Sequence, residues 1–117
     1  MTAVQQSLVV ETGKVQPWSA VINEQNCTKY GKHCDVYVRG HVLPGPIPVN
    51  VSLFSLPWKI KNIATIDIEC AMSVWNNTYD TLIPAAIRYE GIYATIQITS
   101  NHIDANNFSC HLSYECD

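Results

Sequence analysis

The sequence predicts an all-β protein, an antiparallel β-sandwich of jelly-roll type with seven or eight strands. Six segments alternate apolar and polar residues with a period of two, whereas almost none repeats with a helical period. Because successive side chains of a strand point to opposite faces, each segment should bury one face only. The chain of 117 residues is expected to be an N-terminal arm, residues 1–14, followed by one sandwich domain, residues 15–117.

The elements of the first half follow from proline, glycine and the alternation. Residues 15–23 are expected to be extended, since Pro17 disfavours a helix before it. Gly31 predicts a tight turn within residues 28–32, and residues 33–43 form the first long strand, with Cys34, Val36 and Val38 inward. Three prolines between residues 43 and 48 predict a rigid turn, because proline donates no hydrogen bond to a sheet.

The second half contains the other predicted strands, which cover residues 49–54, 63–74, 81–90, 92–99 and 107–116. Residues 75–80 and 100–104 read as loops, and Gly91 suggests a tight hairpin or bulge. The inward positions of the last three strands are Ile83, Ala85, Ile87 and Tyr89, then Ile92, Ala94, Ile96 and Ile98, then Phe108, Cys110, Leu112 and Tyr114.

Charge and hydropathy exclude two classes of partner. The net charge is −3, only 15% of residues are charged, and the basic residues are scattered, so no nucleic-acid footprint is expected. The N-terminus lacks the basic start and apolar centre of a secretory signal, and no segment has membrane-spanning length. The chain is therefore expected to be soluble, without membrane insertion.

Cysteines and glycosylation motifs point in opposite directions. Cys34, Cys70, Cys110 and Cys116 fall on the apolar faces of their strands, which favours buried reduced thiols among the five cysteines. In an oxidising compartment, a Cys34–Cys70 or Cys110–Cys116 disulfide bond is the alternative. Four Asn-X-Ser/Thr motifs, which should be exposed, favour a secreted glycoprotein of immunoglobulin-like or lectin-like type; they begin at Asn26, Asn50, Asn76 and Asn107.

An ordered set of motifs between residues 9 and 116 resembles the C-terminal β-sandwich domains of bacteriophage tail fibres and tail spikes. Its first part is Glu11-Thr12-Gly13 ahead of an extended segment with Trp and Pro. Its later parts are Cys27-Thr28-Lys29-Tyr30-Gly31-Lys32-His33-Cys34-Asp35-Val36-Tyr37-Val38-Arg39-Gly40, Leu56-Pro57-Trp58 and Ile92-Tyr93-Ala94-Thr95-Ile96.

The resemblance implies a non-enzymatic homotrimer at the tip of a fibre or spike, made in the bacterial cytoplasm and carried on the virion. Its expected partners are bacterial surface polysaccharide or another glycan and the remainder of a tail spike. Small, weakly polar outward residues support self-association, since such faces pack without burying unpaired charge. The predicted interface residues are Ile63, Thr65, Tyr93, Thr95 and Gln97.

The loop at residues 75–80 is the predicted glycan site. Sugar recognition needs an aromatic face for C–H groups and planar polar groups for hydroxyls. The candidate ligand residues are Trp75, Asn77, Tyr79 and Asp80. Alternatively, Trp75 closes the end of the sandwich. Trp18 and Trp58 are interpreted as structural.

No catalytic or cofactor site is expected. Asp67 and Glu69 share one strand face about 7 Å apart, a spacing compatible with a small glycan hydrolase or lyase, but an exposed strand has no cleft to separate their pKa values. The histidines and cysteines show no metal-ligand spacing, and no glycine-rich phosphate loop occurs. The expectation is therefore no enzyme, no metal and no cofactor.

Overall fold

A computed structural model of the chain describes residues 10–43, 45–61, 68–78, 80–90, 93–99 and 104–116. These residues form nine β-strands and no helix. The strands are β1 (Val10–Gly13), β2 (Gln16–Pro17), β3 (Val21–Tyr30), β4 (His33–His41), β5 (Phe54–Ser55), β6 (Ile68–Trp75), β7 (Asp80–Glu90), β8 (Tyr93–Ile98) and β9 (Asn107–Glu115).

All nine strands belong to one curled antiparallel sheet with the order β1-β3-β4-β9-β6-β7-β8-β5-β2. Its two halves, β1-β3-β4-β9 and β6-β7-β8-β5-β2, are joined by a short pairing of residues 73–75 with residues 107–109. The predicted all-β, antiparallel class is confirmed. The sandwich of seven or eight strands is not, because hydrogen bonding continues from one half to the other.

The two edges of this sheet are supplied by one continuous segment. β1 pairs only with β3 and β2 only with β5, yet Lys14 and Val15 alone separate them in the sequence. Three residue steps span at most about 10 Å, so the edges must approach each other at this corner. The sheet therefore curls into a half-barrel, and residues 10–13 of the expected N-terminal arm belong to it.

The predicted alternation places the core correctly on the long strands. Val36 and Val38 of β4, Met72 and Val74 of β6, and Phe108 of β9 are fully buried. Across the curl, the Phe54 ring from the second half stacks on the Phe108 ring from the first, with centroids 6.1 Å apart and planes 11° apart. The two halves thus share one hydrophobic core.

Gly40 shows how closely the strands approach in this core. A Cβ at this position would overlap the Val21 carbonyl oxygen and lie 3.0 Å from the Phe108 ring. Glycine is therefore required in β4 by the lack of space rather than by backbone conformation. The predicted turn at Gly31 is also present, and there the residue has a φ of 62° that favours glycine.

Two strands differ from their predictions. β3 was expected only as extended chain and a turn, because half of its residues are exposed and only one, Cys27, is buried, so the alternation is lost. The strand predicted at residues 49–54 shrinks to β5, with an isolated parallel bridge between Val49 and Ile98. The odd, apolar positions of this segment were expected inward; Leu53 is fully buried as expected, but Val51 is exposed.

The cysteines behave as small apolar core residues. All five are free thiols; Cys27, Cys34, Cys110 and Cys116 are buried and Cys70 is half-buried. Burial raises the pKa of the Cys110 thiol to about 12, with smaller contributions from the nearby Cys70 and Cys27. The buried thiol is therefore held protonated, which suits packing and not nucleophilic chemistry.

The raised pKa predicts alkaline destabilisation. Between the ordinary thiol pKa of 9.0 and the folded value of about 12, the unfolded chain loses the Cys110 proton and the folded chain keeps it. Stability should therefore fall as pH rises through this window, by up to about 1.4 kcal/mol per pH unit from this group. Urea unfolding from about pH 8 to about pH 11 should show a shallower decline for Cys110→Ala, while Ser113→Ala keeps the parent slope. Equal slopes for both variants would contradict the assignment.

Candidate functional site

An open groove of about 800 Å³ lies where β2 pairs with β5 and β8 begins. We call it the aromatic groove, because three aromatic side chains from three separate segments line it. Its lining residues are Lys14, Gln16, Pro17, Trp18, Ser55, Leu56, Pro57, Trp58, Lys59, Tyr93 and Ala94.

Trp18 presents its ring to solvent from a fixed backbone. Its side chain follows Pro17, and the Trp18 N–H donates to the Leu53 carbonyl oxygen at 3.0 Å. Trp18 is 46% exposed. Its ring makes an edge-on contact with the Tyr93 ring, with centroids 6.3 Å apart and planes at 70°. Two large aromatic rings are thus held side by side at the groove wall without being buried.

Trp58 is half-buried and lines the same groove. The Tyr114 hydroxyl donates to the Trp58 carbonyl oxygen at 2.8 Å and accepts from the Trp58 N–H at 3.3 Å, so one side chain fixes both backbone groups. A Cβ at Gly13 would lie 2.9 Å from the Trp58 ring, so β1 packs directly against this indole. The expected structural role of Trp58 agrees with this packing.

The aromatic groove combines the two requirements for binding sugars. Exposed ring faces can accept the C–H surface of a sugar ring, and Gln16 supplies an amide that both donates and accepts hydrogen bonds. Lys14 and Lys59 add two cationic donors, both exposed. Such a surface can bind and orient a polar, non-planar ligand through shape and hydrogen bonding.

The predicted glycan site forms a second, smaller groove. Trp75 and Asp80 are cross-strand partners at the β6–β7 end, and they line a groove of about 440 Å³ together with Tyr37, Arg39, Ser73 and Ser109. The Arg39 guanidinium lies 5.1 Å from the centre of the Trp75 ring. Asn77 is exposed in the following loop but does not line this groove, and Tyr79 lies outside the described residues.

The arginine changes what Trp75 can do. A guanidinium over an indole face is an attractive cation–π contact, and here it covers a face that a sugar would need. Trp75 is also half-buried, and its carbonyl oxygen accepts from the Asn107 side-chain amide at 3.3 Å. We therefore regard the Trp75 groove as the weaker of the two candidate sites.

The predicted interface residues separate in the structure. Tyr93 is exposed, whereas Ile63 and Thr65 lie outside the described residues. Thr95 and Gln97, expected to face outward, are buried, which corrects that expectation. The Ser52 hydroxyl lies 3.0 Å from the Thr95 hydroxyl and accepts from the Gln97 side-chain amide at 3.2 Å. Ser52, in the segment before β5, therefore covers this face of β8.

Sequence reasoning missed the aromatic groove because its walls are far apart in the chain. Trp18 was interpreted as structural, yet its exposure and its place beside Tyr93 make it part of this surface. One local signal was present: both Trp18 and Trp58 follow a proline in an extended segment. The pairing of β2 with β5, which brings these two Pro-Trp pairs together, is a long-range contact that alternation does not encode.

Within the described ranges, no group of three His, Cys, Asp or Glu side chains is placed to hold a metal ion. In the same ranges, no helix is long and apolar enough to cross a membrane. Asp67 and Glu69, the carboxylates that the sequence analysis weighed and did not assign a catalytic role, have side chains outside the described part of the chain. Comparison of the chain with protein-family models, curated proteins and solved structures finds no significant match.

The Tyr114 contact makes a testable claim about how Trp58 is held in the groove. Tyr114→Phe removes both hydrogen bonds to the Trp58 backbone and should lower the free energy of unfolding by about 1–3 kcal/mol. The matched control, Tyr37→Phe, removes a hydroxyl on the outer face and should change it by less than about 0.5 kcal/mol. Urea unfolding measures both. An equal effect of the two substitutions would show that the hydroxyl does not fix Trp58.

Proposed function

We propose that this protein is a non-enzymatic bacteriophage tail fibre or tail spike module that forms a homotrimer and binds host surface glycans through the aromatic groove. The observation that carries the proposal is the pair of exposed residues, Trp18 and Tyr93, at the wall of the aromatic groove. The assignment to phage tails rests on the ordered motifs from Glu11-Thr12-Gly13 to the strand after Gly91.

The physical case for glycan binding is preorganisation. Hydrating an exposed aromatic ring is unfavourable, and this free energy is recovered when a sugar covers the ring and displaces the water. The Trp18 backbone is already ordered by its bond to Leu53, and Ser19 adds a hydroxyl bond of 2.7 Å to the Ser52 carbonyl oxygen. Little conformational entropy is therefore lost when a ligand arrives, which favours affinity at an open site.

A trimer would turn such an open, weak site into a strong one. Three sites on one rigid tip bind a repetitive polysaccharide by avidity, which can exceed single-site affinity by about 10²–10⁴. The outer face of β6 and β7 offers an uncharged strip of exposed residues, Ala71, Leu82 and Pro84, in which Leu82 is 70% exposed. We propose this strip as the self-association surface; Tyr93, which the sequence predicted at the interface, lines the aromatic groove instead.

The jelly-roll sandwich also belongs to this proposal. The stacked rings of Phe54 and Phe108 support treating the two halves of the sheet as facing layers. The narrow pairing of residues 73–75 with residues 107–109 would then be the hinge where one layer passes into the other. On this view the groove lies at one end of the sandwich, at the rim where β2 meets β5.

The alternative is a secreted, glycosylated immunoglobulin-like or lectin-like domain. Asn26 and Asn50 are exposed, as this alternative requires. The side-chain amides of Asn76 and Asn107, however, donate to the carbonyl oxygens of Asp104 and Trp75, and a glycan on either nitrogen would disturb these bonds. The structure therefore favours at most two of the four motifs as acceptors in the folded chain.

The first prediction locates the glycan site. In binding assays against a panel of bacterial surface polysaccharides, Trp18→Ala should weaken binding of the recognised glycan about tenfold or more, because the stacking platform is lost. Trp75→Ala is the matched control and should leave binding within about twofold. The reverse pattern would move the site to the Trp75 groove, and no binding by the parent protein would refute the proposed function.

The second prediction concerns assembly. Light scattering at micromolar concentration should give three times the chain mass, and Leu82→Lys should shift it to one chain mass by placing a charge in the buried strip. Leu43→Lys introduces the same charge at another exposed leucine, 68% exposed, and should leave the trimer intact. A monomeric parent protein would contradict the trimer.

A further inference from the structure

The charges around the aromatic groove have one sign. Lys14 and Lys59 are the two charged residues among its described lining, and both side chains are exposed. Neither makes an ion pair within the described chain, in contrast to Lys29, whose ammonium group lies 3.4 Å from a Glu11 carboxylate oxygen. The chain has a net charge of −3. Two lysines that make no ion pair with a described residue therefore give this aromatic surface a charge opposite to that of the chain as a whole.

The acidic residues of the described chain that form contacts lie on other surfaces. Asp35 and Glu115 flank His33 on the outer face of β4 and β9, each with a carboxylate oxygen 3.3 Å from a ring nitrogen. Asp80 lines the Trp75 groove. The sequence places one acidic residue, Glu90, opposite Tyr93 in the β7–β8 register. Among the groove's own described lining residues the charge is positive, from Lys14 and Lys59, and this favours an anionic ligand, with Glu90 as an acidic neighbour in the β7–β8 register.

The surface also extends beyond one sugar ring. On its other side Trp18 borders a shallow depression of about 380 Å³, formed with Ser19, Asn50, Val51 and Ser52. Asn50 has a left-handed backbone with a φ of 60°, and its side-chain oxygen accepts from the Arg88 guanidinium at 3.3 Å. Trp18 thus stands between two adjoining concave surfaces, an arrangement suited to a linear chain that passes over the indole.

On the basis of the proposed function, we infer that the aromatic groove binds an acidic polysaccharide whose sugar rings carry carboxylates, the chemistry of hexuronic acids. A hexuronate has its carboxylate attached directly to the ring, so a ring stacked at Trp18 or Tyr93 carries its charge to the groove wall. Lys14 and Lys59 are the residues that would meet this charge. An acidic peptide would satisfy the lysines but would leave the exposed ring faces without a matching flat partner.

The test uses oligomers of galacturonate, glucuronate and mannuronate, each paired with its carboxyl-reduced neutral counterpart, with binding measured by calorimetry in low salt and EDTA. At least one acidic oligomer should bind about tenfold more tightly than its neutral counterpart, and this preference should shrink at about 0.5 M NaCl. The double substitution Lys14→Gln/Lys59→Gln should abolish the preference, so that within this variant the acidic oligomer binds no more tightly than its neutral counterpart.

The matched control removes the same charge outside the groove: Lys32→Gln/Lys61→Gln alters two exposed lysines and should keep the preference. Equal binding of acidic and neutral oligomers, lost only with Trp18→Ala, would overturn the acidic ligand and leave the proposed glycan function standing. A preference that survives Lys14→Gln/Lys59→Gln would also overturn it. Lysine-dependent binding of polyglutamate without binding of any oligosaccharide would overturn both proposals.

Discussion

The constraint on which the structure depends is that residues 10–17 must serve both edges of one sheet. β1 completes the first half and β2 completes the second, and the two intervening residues leave no freedom for the edges to separate. This covalent link fixes the curl, brings Phe54 onto Phe108, and places Gly13 against Trp58. Both edges are also very short, and β2 contains a proline, so neither offers a long template for unwanted strand pairing.

The aromatic groove is a consequence of this closure. Where β2 reaches β5, the chain has just crossed the open side of the sheet, and Val15 and Ala20 are the residues of this crossing that enter the core. Trp18 is consequently left outside while its backbone is held by the Leu53 carbonyl oxygen. Rigid support and exposure arise from the same crossing, which is the combination that a binding surface needs and that a structural tryptophan does not.

The amino-acid pattern predicted those parts of the fold that depend on local alternation. β4, β7 and β9 were found with the correct inward residues, because burial alternates along β4 and β9 and along most of β7, where Ala86 is also buried. The pattern failed where burial departs from that rule: only one residue of β3 is buried, and β8 is covered on both faces, so Thr95 and Gln97 were misplaced. Of the candidate site, Trp75 and Asp80 were correctly brought together, but the β2–β5 pairing that creates the larger groove was not predictable from spacing.

The two grooves differ in which side chains already contact their tryptophan rings, and this difference bears on which groove is the better candidate for ligand binding. At Trp75, Arg39 lies over the indole and Asp80 stands across the ladder, so the ring already has a cationic partner within the chain. At Trp18, the aromatic contact within the described chain is an edge-on one with Tyr93, the residue is 46% exposed, and the nearby lysines make no ion pair within the described chain. A ring face that is covered by a cation in the folded chain must lose that contact to bind a ligand, whereas an exposed ring surface can gain ligand contacts without losing one. The balance of gained and lost contacts thus favours the aromatic groove as the proposed glycan site, although the loop at Trp75 has the residue composition more typical of sugar binding.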